Sequence, residues 1–391
     1  MLLNKMIKNH VPTSFDVPHI ARLYAEICNY YGYKISPQMA FGIGMGISFE
    51  YMRAENYKLF PDFTVQGTYF NGSFSKDRRR LARNLRVWLD VYRGNSDKKA
   101  YESYLGMLSL GMPLIVEVNL SLYKSFLEQR YKAIIATCEY AERIYNIPQD
   151  YFINAYSIII AGVDKETRDI VCLDVNLKGT IIIPYNEFMQ MHSYKSEYIN
   201  AEYEWTDILI PKHKRLNPPE FALLESIRDD IRNLESPPVF DDNYIIGIDG
   251  MRQLYIDVIN RMSPLTGEKL KDSFEKIYYT SEILYGRTGL YRKTYSQFLY
   301  EASKYYPEFS EPAIKYEKLS EEWSALLDLI KNVMLAKNEV NDIVQALEHI
   351  INSEVDACEL LKFTTDNIYK KVCSRTKEEN TVLLERRKGD F

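Results

Sequence analysis

The sequence predicts an α+β fold, with an antiparallel sheet in the first half of the chain and helices in the second. Short β-branched runs separated by turn residues recur between positions 111 and 183, and helical periodicity dominates beyond position 241. Two proline pairs, Pro218-Pro219 and Pro237-Pro238, punctuate the change. The first element is a helix. Asp16 is placed to cap it, Pro18 falls in its first turn, and Ile20, Leu23, Tyr24, Ile27 and Tyr31 recur at helical spacing until Gly32 ends the run. Residues 41–49 (FGIGMGISF) lack the preceding β run and the glycine spacing of a phosphate loop, so their glycines suit close packing or a tight strand.

Residues 111–119 (GMPLIVEVN) read as a buried strand, followed by strands at 156–162 (YSIIIAG), 170–174 (IVCLD) and 179–183 (GTIII). The second and third of these turn through residues 164–168, which gives an antiparallel meander packed on the first helix. Residues 121–146 interrupt the strands with a charged, amphipathic helical stretch. Its position before Tyr156 suits a lid or a partner-docking element; the alternative is a helix packed only on the second half. The organisation is then residues 1–210 as an α+β domain, 211–240 as a proline-flanked linker helix (FALLESIRDDIRNLE), and 241–391 as a helical domain with a polar, frayed tail after Cys373. Trp323, Leu326, Leu327, Ile330, Val333 and Met334, then Ile343, Val344, Leu347, Ile350 and Ile351, form an apolar stripe at bundle spacing. Such a stripe serves as core or as a homodimer interface.

Composition narrows the function classes. The 49 basic and 54 acidic residues nearly balance, without a single-sign block to suit a phosphate backbone or an anionic membrane, so neither nucleic acid nor a membrane is an expected partner. Five cysteines, an odd number with no CxxC pair or His/Cys cluster, suit reduced thiols in a cytoplasmic protein that holds no metal. No signal peptide and no run of apolar residues long enough to span a bilayer is expected. Thirty-two tyrosines suit either half-buried helix faces or a polar-aromatic cleft.

Two stretches resemble the butirosin biosynthesis protein H family of papain-like acyltransferases, over about residues 10 to 335. Residues 29–32 (NYYG) followed by 41–49 are similar to that family's first helix end and glycine-rich run. Residues 286–302 (GRTGLYRKTYSQFLYEA), with Trp323 beyond them, are similar to the signature of its helical partner domain. The resemblance implies a papain-like (cysteine-protease-like) N-terminal domain and transfer of an acyl or aminoacyl group to a small-molecule amine acceptor in natural-product, antibiotic-type biosynthesis. The acyl donor would ride on the phosphopantetheine of an acyl or peptidyl carrier protein, with no cofactor of the chain's own.

In papain-like enzymes a cysteine at a helix N-terminus is activated by a histidine on a facing strand and oriented by an acidic residue on the next. Carried onto this sequence, the family's spacing puts His19 at the cysteine position, Tyr156 at the histidine position and Asp174 at the acidic position. An alternative register places His10 and Val11 on the family's His-Cys pair, with an insertion in the first helix. Neither supplies a nucleophile, and Cys28 lies half a turn round the helix from His19, toward the core. Two readings stand. In one, transfer continues without a covalent intermediate: His19, kept neutral by the helix macrodipole, is general base and Tyr156 donates to the oxyanion, with Asp174 orienting one of them. In the other, the chain is an inactive binding or scaffold subunit. Taken singly, His19 is equally a capping or surface histidine, Tyr156 a satisfied sheet tyrosine, and Asp174 a turn residue bonded to its own backbone.

Overall fold

The computed structural model describes residues 2–10, 16–52, 57–60, 63–65, 69–71, 79–135, 155–194, 203–210, 219–235, 237, 244–278 and 289–389. The chain begins with α1 (Asn4–Asn9), α2 (His19–Tyr30) and α3 (Pro37–Gly44). Four short strands follow: β1 (Glu50–Met52), β2 (Tyr57–Phe60), β3 (Phe63–Val65) and β4 (Tyr69–Asn71). Then come α4 (Arg80–Leu85), β5 (Trp88–Arg93), α5 (Asp97–Ser109) and β6 (Leu114–Asn119), which runs directly into α6 (Leu120–Arg130) and α7 (Lys132–Ile135). The predicted meander appears as β7 (Ala155–Val163), β8 (Ile170–Leu173) and β9 (Thr180–Ile183), before α8 (Tyr185–His192) and β10 (Glu204–Leu209).

The main sheet has six antiparallel strands in the order β5-β10-β6-β7-β8-β9, and α2 packs on β7. In the β7–β8 turn, Asp164 Oδ1 accepts the Glu166 and Thr167 amides at 2.8 and 3.2 Å. Arg168, left-handed at φ 66°, lays its guanidinium over the Tyr185 and Tyr101 rings at 3.9 and 4.6 Å.

Several details depart from the sequence reading. The first helix starts at His19, with Pro18 as its cap and no side-chain bond there; the Asp16 carbonyl instead accepts Thr294 Oγ1 at 2.5 Å. Residues 41–44 belong to α3, capped by Ser36, so the glycine run serves close packing and is not a strand. A Cβ on Gly42 would lie 2.2 Å from the Phe298 ring. Gly46, at φ 70°, leaves room for the buried pair Arg80–Asp230, whose Nη2 and Oδ1 are 2.6 Å apart. Strands β5 and β10 escaped the reading because charge interrupts their patterns: Glu204 is buried in β10, held by Arg93 at 2.8 Å.

The proline-flanked helix is α9 (Pro219–Glu235); Pro218 and Pro238 lie outside the described residues. It is central: Asp230 sits in its middle, and α3, α4 and the last helix pack on it. Beyond it the expectation of helix alone fails, because β11 (Tyr244–Ile246) pairs antiparallel with β1, and the Tyr244 hydroxyl donates to the buried Glu50 at 2.7 Å. Then follow α10 (Gly247–Asp257) with a π turn at Val258–Met262, α11 (Gly267–Tyr278), α12 (Arg292–Ala302), α13 (Ser310–Met334) and α14 (Val340–Gly389). The tail is helical to Gly389, as its Glu-, Lys- and Arg-rich composition favours, and is not frayed at Cys373. Most of the bundle stripe, including Trp323, Leu326, Leu347 and Ile350, is buried within the chain, in one core continuous from Leu3 to Ile368.

The two stretches that carry the resemblance pack on each other. Phe41 meets Tyr291 and Phe49 stacks on Trp323, with ring centroids 5.7 and 5.5 Å apart. Arg292 Nε and Trp323 Nε1 both donate to the buried Glu354 Oε1, at 2.6 and 2.7 Å. Residues 286–288 of the second stretch lie outside the described residues.

Candidate functional site

His19, Tyr156 and Asp174 come from three elements and meet in one cluster. His19 is the first residue of α2, Tyr156 lies near the start of β7, and Asp174 directly follows β8. The His19 and Tyr156 rings stack with centroids 4.6 Å apart. The Tyr156 hydroxyl donates to the Asp174 carboxylate, 2.9 Å from Oδ1 and 3.0 Å from Oδ2.

The protonation pattern follows from the partners. His19 Nε2 lies 2.6 Å from the Ser157 carbonyl, which can only accept, so the imidazole carries its proton there. Nδ1 is then the bare nitrogen, and it accepts Asn176 Nδ2 at 3.3 Å. The same amide donates to the Tyr156 hydroxyl. Burial pulls the His19 pKa down to about 3, aided by the Arg22 guanidinium on the next turn of α2. The histidine is neutral as expected, but burial and Arg22 account for it where the helix macrodipole was expected to.

Asp174 is buried, and its carboxyl pKa is raised by that burial, against four groups that favour the charge: the Asn176 amide at 2.8 Å, Tyr156, Tyr123 and Arg22. Its bond to the Asn176 amide is the turn bond that its position suggested, so the turn role and the cluster role coexist. Tyr123, from α6, donates to Asp174 Oδ2 at 3.1 Å and stacks on Tyr156 at 5.5 Å. The start of the 121–146 stretch therefore lies within a helix diameter of Tyr156 and covers it; residues 136–146 lie outside the described residues. Beside the cluster, His10 bonds Glu26 Oε1 at 3.3 Å and the Leu177 carbonyl at 3.0 Å. Burial pulls its pKa down, but those partners outweigh it and the net shift is upward. Val11, the other half of the alternative register, lies outside the described residues.

Sequence reasoning missed Tyr123, Asn176 and Arg22 as members of the site. Arg22 had a signal, standing three residues after His19 on the same helix face. Tyr123 had none, because its place depends on how α6 folds back over β7.

Cys28 is fully buried on the core side of α2, with its thiol pushed up to about 12 by burial, and Cys172 on β8 is likewise buried and raised. Neither is a thiolate nucleophile in this arrangement. Among the described residues no group of three or more His, Cys, Asp or Glu side chains could hold a metal ion, and no helix is long and apolar enough to cross a membrane. No protein-family model matches the chain, and no curated protein matches it significantly.

Proposed function

We propose that this chain is a non-catalytic relative of the butirosin biosynthesis protein H family, a papain-like frame that acts as a binding or scaffold subunit for a carrier protein or another biosynthetic partner. One observation carries the reading: the polar groups at the family's three positions are turned on one another. His19 spends Nε2–H on Ser157 and the Nδ1 lone pair on Asn176, and Tyr156 spends its proton on Asp174. Asp174 receives Tyr123, Tyr156 and the Asn176 amide. A general base needs a free lone pair and an oxyanion donor needs a free proton, so each would first have to break a buried bond. The packing of residues 41–49 on residues 289–302 and Trp323 favours the family assignment, since both resembling stretches serve one interface.

A second reading, amide-forming acyl transfer without a covalent cysteine intermediate, draws on one feature: His19 is a neutral imidazole, the form a base requires. One experiment separates the two. The full chain is mixed with an acylated carrier protein and an amine acceptor, while binding is followed by calorimetry, acyl transfer by product mass, and adducts by intact-protein mass. Saturable carrier binding without turnover and without an acyl adduct is expected. Turnover that disappears in His19→Ala would replace this reading with the second, and failure to bind the carrier would remove the carrier from it.

A further inference from the structure

Both ring nitrogens of His10 face acceptors. The residue closes α1, and its side chain is only 1% exposed, with Nδ1 3.3 Å from Glu26 Oε1 on α2 and Nε2 3.0 Å from the Leu177 carbonyl beyond β8. A carbonyl and an ionised carboxylate can only accept, and a neutral imidazole has one N–H, so the two contacts together require the doubly protonated ring. The imidazolium then ties α2 and the turn at residues 174–177 to α1, which is itself fastened to β7 by the Leu3 amide on the Ala161 carbonyl at 2.8 Å.

That turn carries part of the candidate site. The Leu177 amide closes it on the Asp174 carbonyl at 3.0 Å, and Asn176 within it reaches both His19 and Tyr156. Burial opposes a charge on His10, but Glu26, the Leu177 carbonyl and Asp174 outweigh that cost and raise its pKa. The other charged groups of the packed elements stand aside. Arg22 on α2 acts on Asp174 and on the neutral His19, while Lys5 and Lys8 of α1 and Lys178 after the turn are exposed. Residues 11–15, which follow His10, contain no titratable side chain.

We propose that His10 is a pH-sensitive clamp on the 174–177 turn: as an imidazolium it bridges Glu26 and the Leu177 carbonyl, and on losing a proton to solvent it releases the turn. The carboxylate is the stronger acceptor, so the neutral ring keeps Nδ1–H for Glu26 and sets a bare Nε2 lone pair against the Leu177 carbonyl. Release loosens Asp174 and Asn176 together, and with them the bonds that close on His19 and Tyr156. Because the folded pKa is the raised one, the clamp is complete below pH 6.5 and is lost as the pH rises through the folded value. It stands on this geometry alone and holds whether the cluster binds or catalyses.

The test is an NMR titration of the full chain, labelled at the histidine Cε1 carbons, between about pH 5 and about pH 9. The His10 signal is assigned by its loss in His10→Gln, and its midpoint should lie above 6.5. Hydrogen exchange, corrected for the chemical rate, should show the Asn176 and Leu177 amides losing about tenfold in protection as that signal titrates. Glu26→Gln separates the clamp from a merely buried histidine: the Gln amide donates to a bare Nδ1, so Nε2 keeps its proton for Leu177 at neutral and alkaline pH. In that variant the His10 midpoint should fall, and protection of the turn should no longer follow pH. A wild-type midpoint at or below 6.5, protection indifferent to the charge on His10, or a Glu26→Gln variant that titrates like the wild type would overturn the proposal.

Discussion

Replacing His19 with Gln tests the description of the site through pH. In the folded chain the imidazole is neutral, with a pKa near 3, against 6.5 for the free side chain. The folded value is the lower one, so below pH 6.5 the unfolded chain binds a proton that the folded chain refuses. Stability contributed by this residue is complete above pH 6.5, declines as the pH falls through that value, and stops declining only near 3. At about pH 5 the cost of keeping the ring neutral is about 1.36 × 1.5, or about 2 kcal/mol. Partial solvent contact reduces the expectation to about 1–2 kcal/mol. Gln removes the titration together with the stacking on Tyr156. The wild type should therefore be more stable at about pH 7.5 by about 1–2 kcal/mol, with the gap nearly closed at about pH 5. Urea midpoints of both proteins at the two pH values measure this, provided the slopes agree. Other shifted groups, such as His192 (down to about 4) and Asp230 (up to about 7), cancel in the difference. A gap independent of pH would refute the desolvated neutral ring. A gap that widens on acidification would mean a charged His19 paired with Asp174.

Tyr123→Phe removes one donor from Asp174 while keeping the ring against Tyr156, and should cost about 1 kcal/mol in urea unfolding and speed amide exchange in residues 120–130. Gly42→Ala drives a methyl into Phe298 at the contact between α3 and α12; a loss of about 1–3 kcal/mol is expected, and an unchanged midpoint would mean that this contact is loose. Glu354→Gln leaves Arg292 buried beside a neutral partner and should lower stability by about 3–5 kcal/mol, read by calorimetric melting. Cys28, buried and with a raised pKa, should react with N-ethylmaleimide at pH 8 only as fast as the chain opens, so peptide-resolved labelling should accelerate with urea.

The parts of the fold that could be read from sequence are those whose hydrophobic period was clean. Ile158, Ile159 and Ile160, then Ile170 and Val171, announce β7 and β8 by composition alone, and Ile20 to Tyr31 announce α2. The missed strands failed for one physical reason. β10 buries Glu204 and β1 buries Glu50, and these residues, which would mark the segments as loops, are satisfied by Arg93 and Tyr244 from distant parts of the chain. Partners far apart in sequence are invisible to a local window, and Glu354, which collects Arg292 and Trp323, was missed in the same way.

The site follows the same logic one level up. The spacing of the family that the sequence resembles picks out His19, Tyr156 and Asp174, which lie together in the structure, and their identities alone read as a base, a donor and an orienter. On the proposed reading the set is closed by Asn176 and Tyr123, two residues with no chemistry of their own to attract notice. Asn176 spans His19 and Tyr156 with a single amide, and Tyr123 closes the remaining side of Asp174. Freeing the base therefore takes more than restoring a nucleophile: a cysteine at position 19 would sit against a tyrosine already bonded to Asp174, with no histidine beside it to take its proton. On this reasoning His19→Cys alone should give no acyl adduct, and adding Tyr156→His with Tyr123→Phe, which supplies the imidazole and releases the carboxylate, is the smallest change that could.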